Sequence, residues 1–571
     1  MNKDVLNTAI SRAKEWLNHN FNAEINTSIQ HGLKNLDKDF IEAFYKDLEF
    51  GTGGMRGIMG IGPNRINEYT LGLATQALAE MVLEKNTTPS VAIAFDSRNN
   101  SKALSNKIAD VLSANGVKVY IYENLRPTPQ LSFTIRHFGC DAGIVVTASH
   151  NPPEYNGYKV YGNDGCQIVN PQDKDLVSRV RNTTFSSIKF ERNHDLVEYL
   201  GDDADLLYFN AIKTLSVNPS IVNTQAELPI VYTGLHGTGA VSTKNALNAW
   251  GFNNIIEVPE QSIPDGNFPT VDSPNPEEPA ALKMAIELAK KENAELVMGT
   301  DPDSDRVGIA VKDHSGEFIL LNGNQTASLL VHYVLSETQL KGNEFIAKTV
   351  VTSEILDTIA NAHKVDVVNT LTGFKYIGAA IRELEGKKTY LVGGEESYGY
   401  LIGDLVRDKD AISSCCMIAE VCAWAKQQNK TLLDLLKEIH ITYGLYLESL
   451  NSLTKKGIDG ASEIKTMVEE FRLNPMKEIV GEKIINILDY GNSTNRNMLT
   501  GEISDLNYGS SNFIQFITEK GTKVTVRPSG TEPKIKFYIS VQDANISVEN
   551  YEEKTQLLKL KIESIKETLG L

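Results

Sequence analysis

The chain has 571 residues, 41% of them hydrophobic and 23% charged; this supplies several cores and excludes both large-scale disorder and a single domain, because one core stops growing at roughly 250 to 300 residues. The formal net charge of -17 argues against a nucleic-acid or anionic-membrane surface, which needs a basic footprint, so an anionic substrate would need local Arg, Lys or metal to bind. The five cysteines, Cys140, Cys166, Cys415, Cys416 and Cys422, form no C-x-x-C pair, and no signal-peptide core or apolar run of about 18 residues is present, so a reducing, cytoplasmic setting is expected.

In chain order, Ala13, Trp16 and Leu17 share a helix face predicted to pack on, or cap, a first domain. Gly51-Thr-Gly-Gly-Met-Arg56-Gly57 fits neither a dinucleotide fingerprint nor a Walker A loop and reads as a flexible loop presenting Arg56. Residues 91–95, the polar corner 96–101, a helix with Leu104, Ile108, Val111 and Leu112 on one face, and residues 117–121 make a βαβ unit. The pattern returns from 228 to 256, with a helix ending at Trp250-Gly251, and again from 345 to 368, with Ile355, Leu356 and Ile359 on the helix. Repeated βαβ units predict parallel or mixed sheets covered by helices, hence three related α/β domains at 1–205, 206–325 and 326–444. The tail differs. Apolar runs at 513–517, 523–526 and 536–541, then a charged helix from about Tyr551, predict a small antiparallel α+β domain over 445–571.

Four segments carry chemistry. Ser149 follows the apolar run 142–147, so its hydroxyl is expected at the carboxyl end of a buried strand, where ligand sites of α/β sheets form. As a weak nucleophile it needs a base or a metal. His150 is adjacent, but neighbours on an extended strand face opposite ways, which disfavours a direct Ser-His pair. Asp301, Asp303 and Asp305 alternate after the apolar residues 296–298 and aim three hard oxygen ligands at one divalent cation. An EF-hand needs Gly and Glu where Arg306 and Lys312 stand, so that reading fails. Glu395 and Ser397 suit vicinal hydroxyls. Arg527-Pro-Ser529-Gly530-Thr531 offers a guanidinium fork, two hydroxyls and loop N–H groups that suit a phosphate dianion. Each segment alone has a plain reading: a loop hydroxyl, a solvated acidic loop, an ordinary turn. Together they read as phosphoryl-transfer machinery for a polyhydroxylated substrate.

With these motifs in this order, the chain resembles the α-D-phosphohexomutase superfamily, most of all its phosphoglucomutase branch, over essentially its whole length. The resemblance implies four domains, three mixed α/β and one C-terminal α+β, around a central cleft. It implies that Ser149 is carried as phosphoserine, that Ser149, Asp301, Asp303 and Asp305 hold one Mg²⁺, and that Arg306 lies beside the transferring phosphate. Lys159 and Arg56 match the candidate general acid/base and phosphate-stabilising groups. His150, Thr372-Gly373, Glu395, Ser397 and Lys409 match substrate contacts, and Arg527, Ser529, Gly530 and Thr531 the loop for the non-reacting phosphate. The implied reaction interconverts glucose 1-phosphate and glucose 6-phosphate through glucose 1,6-bisphosphate, in a monomer or homodimer whose partners are sugar phosphates. Phosphopentomutase, phosphomannomutase, bisphosphate synthase, metal-dependent phosphatase and silent sugar-phosphate sensor are the alternatives; Tyr398 and Tyr400, beside Glu395 and Ser397, bear on which sugar fits.

Overall fold

The computed structural model describes residues 3–19, 21, 23–51, 53–455, 457–529 and 534–571, without the side chains of 457–459 and 461. They form two compact units, residues 1–323 with 374–431, and residues 324–373 with 432–571.

The first unit holds two sheets. In the first the strand order is Phe50–Gly51, Gly54–Ile58, Tyr155–Gly162, Ala142–Val146, Ser90–Phe95, Lys118–Tyr122, Val197–Leu200. Its last four strands run parallel, and both faces are covered. That is why Ala142–Val146 is apolar at every position and buried throughout, with no alternation. The polar edge is antiparallel, and Gly54–Ile58 pairs there with Tyr155–Gly162. The glycine-rich segment around Arg56 is therefore a strand and not the flexible loop expected. Glycines relieve crowding where these two strands meet: a Cβ on Gly54 would lie 2.3 Å from Tyr158 O, and one on the facing Gly157 2.5 Å from Thr147 O and 2.8 Å from Met55 O. The N-terminal helix Lys3–Leu17 buries Ala9, Ala13 and Trp16 against Phe21, Phe44, Tyr69 and Phe185, capping this domain as expected.

The second sheet has the order Phe318–Leu321, Val307–Lys312, Leu296–Thr300, Ile230–Thr233, Ile255–Glu257, and its Leu296–Thr300/Val307–Lys312 hairpin is antiparallel. The helix Ala411–Gln427 and the hairpin Thr389–Gly394/Tyr400–Ile402 complete the unit. Asp410 caps that helix, accepting from Ile412 N at 2.9 Å and Ser413 N at 3.0 Å.

In the second unit Glu344–Thr349 pairs in parallel with Asp366–Thr370. Its C-terminal part is an antiparallel sheet in the order Leu445–Thr454, Lys534–Asp543, Lys523–Pro528, Ile514–Thr518, Glu482–Asp489, Thr494–Asn497, Ile503–Asp505. The helices Gly457–Leu473 and Tyr551–Leu569 pack on it. This is the α+β tail read from the sequence, and its core of Ile, Val and Phe gains about 1.5–3 kcal/mol per fully buried side chain.

A charged cluster lies inside this unit. Lys348 Nζ is 3.0 Å from Asp357 Oδ2, and Lys523 Nζ is 3.0 Å from Glu354 Oε1. Beside them Oε1 of Glu448 is buried and accepts no hydrogen bond among the described residues. Burial pushes the Glu448 carboxyl from an ordinary 4.5 up to about 7, opposed by Ser353 and Lys523. A raised carboxyl pKa favours the protonated folded state, so its contribution is complete below about pH 4.5 and is lost as pH rises through about 7. Glu448→Gln, a neutral isostere, is expected to leave stability at pH 5 nearly unchanged and to raise it by roughly 1–2 kcal/mol at pH 8, a value discounted for partial exposure. Urea denaturation at both pH values checks this; an equal effect at the two would refute it.

Candidate active site

Two adjacent parallel strands end at the site. Phe95 is in register with Val146, so the corner after Ser90–Phe95 and the serine loop after Ala142–Val146 lie side by side. Asp96, fully buried, organises both. It accepts from Arg98 N at 2.9 Å, Ser101 Oγ at 2.8 Å and Thr147 Oγ1 at 2.6 Å, and Thr147 Oγ1 in turn accepts from Ser149 N at 2.8 Å. Ser149 adopts φ +53°, a left-handed conformation uncommon outside glycine. The chain is therefore not extended there, and the expected separation of Ser149 from His150 does not hold: His150 Nδ1 lies 3.1 Å from Ser149 Oγ. Burial, with Arg306 and Arg56 nearby, holds the His150 pKa well below its usual value, which keeps the ring neutral.

The serine loop turns back through Tyr155–Gly162, which pairs with Ala142–Val146 so that Lys159 faces Val145. The ten-residue spacing from Ser149 is thus the length of a hairpin that returns an ammonium to the aspartates beside the serine loop. Arg56, in register with Gly157, donates to Asn151 Oδ1 at 3.1 Å.

The second strand end is the turn between Leu296–Thr300 and Val307–Lys312. Asp301, Asp303 and Asp305 are buried there, with one oxygen from each within 4.8 Å of the others. Ser149 Oγ donates to Asp301 Oδ2 at 2.7 Å, and Asp301 Oδ1 accepts from the N–H groups of Asp305 at 3.1 Å and Arg306 at 3.0 Å. Lys159 Nζ is 2.9 Å from Asp303 Oδ2 and 3.6 Å from Asp305 Oδ2, and Lys409 Nζ is 3.0 Å from Asp305 Oδ2. Burial, then repulsion from Asp303 and Asp305, pushes the Asp301 carboxyl well above the carboxylate range. Burial acts the same way on Asp303, but Lys159 and neighbouring hydrogen bonds outweigh it and hold that group below the range. Burial alone would depress the Lys159 ammonium, yet Asp303 and Asp305 hold it above its usual value.

The residues fit a divalent metal. Oδ1 of Asp303 and Oδ1 of Asp305 are buried and accept no hydrogen bond among the described residues, in a set made only of hard oxygens. Arg306 pairs with Glu277 beside this turn. The turn carrying Glu395 and Ser397 closes on itself, Glu395 N donating to Gly399 O at 2.9 Å, and is fastened to the aspartate turn's outgoing strand by Val307 N, which donates to Tyr398 O at 3.0 Å.

Ser149, His150, Lys159, Arg56, the three aspartates, Arg306, Lys409, Glu395 and Ser397 thus gather in the first unit. Thr372 and Gly373 lie in the second, after Asp366–Thr370, with Gly373 at φ +115°. Arg527 and Ser529 also belong to the second; Arg527 Nη1 donates to Tyr538 Oη at 3.4 Å and Ser529 N to Lys534 O at 2.7 Å. Gly530 and Thr531 lie outside the described residues. Sequence reasoning missed Asp96, Arg98 and Glu277 as parts of the site. Asp96-Ser-Arg98 follows a buried strand just as Ser149 does, and that shared position was the available signal.

Models of phosphoglucomutase/phosphomannomutase α/β/α domains I, II and III match residues 47–187, 207–316 and 322–443. A phosphoglucomutase of Staphylococcus haemolyticus is 36% identical over 517 residues, covering 90% of this chain and 93% of its own. A phosphoglucomutase of Staphylococcus aureus is 35% identical over 509 residues, covering 88% and 91%. The crystal structure of pp63/parafusin, a phosphoglucomutase from Paramecium, superposes with a TM-score of 0.68 at 18% identity, covering 91% of this chain and 95% of that one, a likeness of fold. Among the described residues no helix is long and apolar enough to cross a membrane. With identity of this extent along nearly the whole of both chains, and three domain models in their family order, the chain belongs to the phosphoglucomutase/phosphomannomutase family of the α-D-phosphohexomutase superfamily.

Proposed function

We propose that this enzyme interconverts glucose 1-phosphate and glucose 6-phosphate, with Ser149 as the group that carries the phosphoryl. The observation that carries the reading is the 2.7 Å hydrogen bond from Ser149 Oγ to Asp301 Oδ2, which couples a nucleophile to a buried three-carboxylate cage. In the active form the phosphoryl group on Ser149 passes to the free hydroxyl of a sugar monophosphate: the bond from phosphorus to Ser149 Oγ breaks and one to the sugar oxygen forms. The resulting glucose 1,6-bisphosphate turns end over end and returns its other phosphate to Ser149.

Asp301, Asp303 and Asp305 would hold one Mg²⁺, which when bound supplies positive charge to the transferring phosphoryl oxygens. Lys159, held as an ammonium by Asp303 and Asp305, gives a proton to the Ser149 oxygen as phosphorus leaves it, and the proton released by the attacking sugar hydroxyl restores the ammonium. His150 stays neutral and hydrogen-bonds Ser149 Oγ, orienting it. Arg306 and Arg56 bear on the reacting phosphate. Glu395 and Ser397 contact the sugar hydroxyls, joined by Lys409 and the Thr372-Gly373 turn. Arg527, Ser529, Gly530 and Thr531 grip the phosphate that is not reacting. A bisphosphate that reacts in two orientations needs an anion site for each phosphate and contacts for its hydroxyls, and exclusion of water protects the phosphoserine from hydrolysis.

The test is formation of glucose 6-phosphate from α-glucose 1-phosphate with Mg²⁺ and a trace of glucose 1,6-bisphosphate, beside ribose 1-phosphate and mannose 1-phosphate. The highest kcat/KM is expected on glucose 1-phosphate. A preference for either other sugar overturns the sugar assignment, and no turnover on any of the three overturns the mutase reading.

A further inference from the structure

Arg98 is a fully buried arginine that the proposed reaction does not use. Its guanidinium donates to four backbone carbonyls of the serine loop. Nη2 reaches Ser149 O at 2.6 Å and also Asn151 O, while Nη1 reaches Pro152 O at 2.7 Å and Tyr155 O at 3.0 Å. Nε faces Asp96 Oδ2 at 3.3 Å, and both side chains have no exposed surface. These carbonyls span residues 149–155, from the serine to the start of the strand that brings back Lys159. One rigid planar fork therefore fixes the path of the loop on both sides of its turn, which a point-charge ammonium on a flexible stem does not do.

The other face of the guanidinium is closed from the second sheet's domain. The ring centroid of Phe268 lies 5.0 Å from Arg98 Cζ, and Asn99 Nδ2 donates to Asn267 Oδ1 at 2.9 Å. Gly266 lies so close to this corner that a Cβ there would meet Asn99 N at 2.4 Å. Phe268 adopts φ +50° and Ser149 φ +53°, so each end of the strut is a non-glycine residue held in a left-handed conformation. Such conformations persist only where their surroundings over-determine them, and they concentrate at functional sites.

We propose that Arg98, capped by Phe268, is the positioning residue that holds Ser149 Oγ in line for phosphoryl transfer and ties the serine loop to the domain that carries the aspartate turn. This rests on Ser149 being the phosphoryl carrier. Arg98 touches no substrate; it acts through the loop backbone.

The experiment compares full-length wild type with Arg98→Lys and Phe268→Leu. The readouts are kcat and KM for glucose 1-phosphate, and the rate at which glucose 1,6-bisphosphate phosphorylates Ser149, followed by intact mass. Displacing a reacting atom by about 1 Å lowers rates about 100-fold. Arg98→Lys is therefore expected to lower kcat and the phosphorylation rate together by about 100-fold, with KM changed less than about threefold because ligand contacts are intact. Phe268→Leu, which keeps every hydrogen bond of Arg98, is expected to fall between it and wild type. If Arg98→Lys does not fold, Phe268→Leu decides by the same split.

Variants that melt earlier yet keep kcat and the phosphorylation rate within twofold would reduce Arg98 to a structural ion pair and overturn the proposal. A rise in KM at constant kcat would overturn it in favour of a ligand contact. A wild type that is phosphorylated but does not turn over glucose 1-phosphate would sink the sugar assignment alone, since the phosphorylation rate still reads Arg98; a wild type that is not phosphorylated at Ser149 would sink both.

Discussion

Ser149→Ala is expected to lower kcat for glucose 1-phosphate by at least about 10⁴-fold while changing stability by only about 1 kcal/mol. The two effects separate because they draw on different interactions. Catalysis loses the only atom to which the phosphoryl group would be bonded, and removal of a nucleophile is among the largest single-residue effects on rate. Folding loses the two hydrogen bonds of Ser149 Oγ, to Asp301 Oδ2 and with His150 Nδ1, while the loop retains the four carbonyl contacts of Arg98 and the bond from residue 149 N to Thr147 Oγ1. Intact mass after treatment with glucose 1,6-bisphosphate gives an independent reading: wild type gains one phosphoryl group and the alanine variant gains none. The closest competing nucleophile is His150 Nδ1, 3.1 Å from the serine oxygen. An alanine variant that still turned over at more than a few hundredths of the wild-type rate, or took up phosphate in an acid-labile form, would move the phosphoryl carrier from Ser149 to His150.

Much of the fold was legible because its central strands are buried on both faces. Ala142–Val146 and residues 296–298 read as unbroken apolar runs, and each is followed within a few residues by polar ones, so βαβ units and the strand-end location of Ser149 and the aspartates could be read directly. What was not legible depends on tertiary context. Gly54–Ile58 has the composition of a loop and becomes a strand only because the returning Tyr155–Gly162 offers it a partner. Helix Glu68–Leu83 carries no single apolar stripe because most of its residues are buried. The turn at Ser149 follows from hydrogen bonds supplied by Asp96, through Thr147, and Arg98, some fifty residues earlier in the chain. No local pattern announces a left-handed serine, so the assumption of extended backbone misplaced His150.

Asp305→Asn is expected to lower kcat by about 10³-fold and to abolish the stabilisation that Mg²⁺ confers, while leaving metal-free stability within about 2 kcal/mol of wild type. The opposing terms can be named. In the absence of metal, Asp305 Oδ2 attracts Lys409 at 3.0 Å and Lys159 at 3.6 Å, and asparagine forfeits both attractions. Against this, Asp305 repels Asp301, whose carboxyl burial and these neighbouring charges already push well above the carboxylate range, and asparagine relieves that repulsion. The near-cancellation makes metal-free stability a poor reporter and metal-dependent stability a sharp one. Oδ1 of Asp305 is buried and accepts no hydrogen bond among the described residues, its nearest charged neighbour being Arg306 Nε at 3.8 Å, so a bound cation would give it a direct ligand bond. At a Mg²⁺ concentration of about 100 Kd the wild type gains about 2.7 kcal/mol. Thermal unfolding with and without Mg²⁺ therefore separates the cases: a rise in Tm for wild type and none for Asp305→Asn fits a three-carboxylate cage, whereas an equal rise in both would place the cation on other ligands and leave Asp305 as an ion-pair partner of Lys409, Lys159 and Arg306 only.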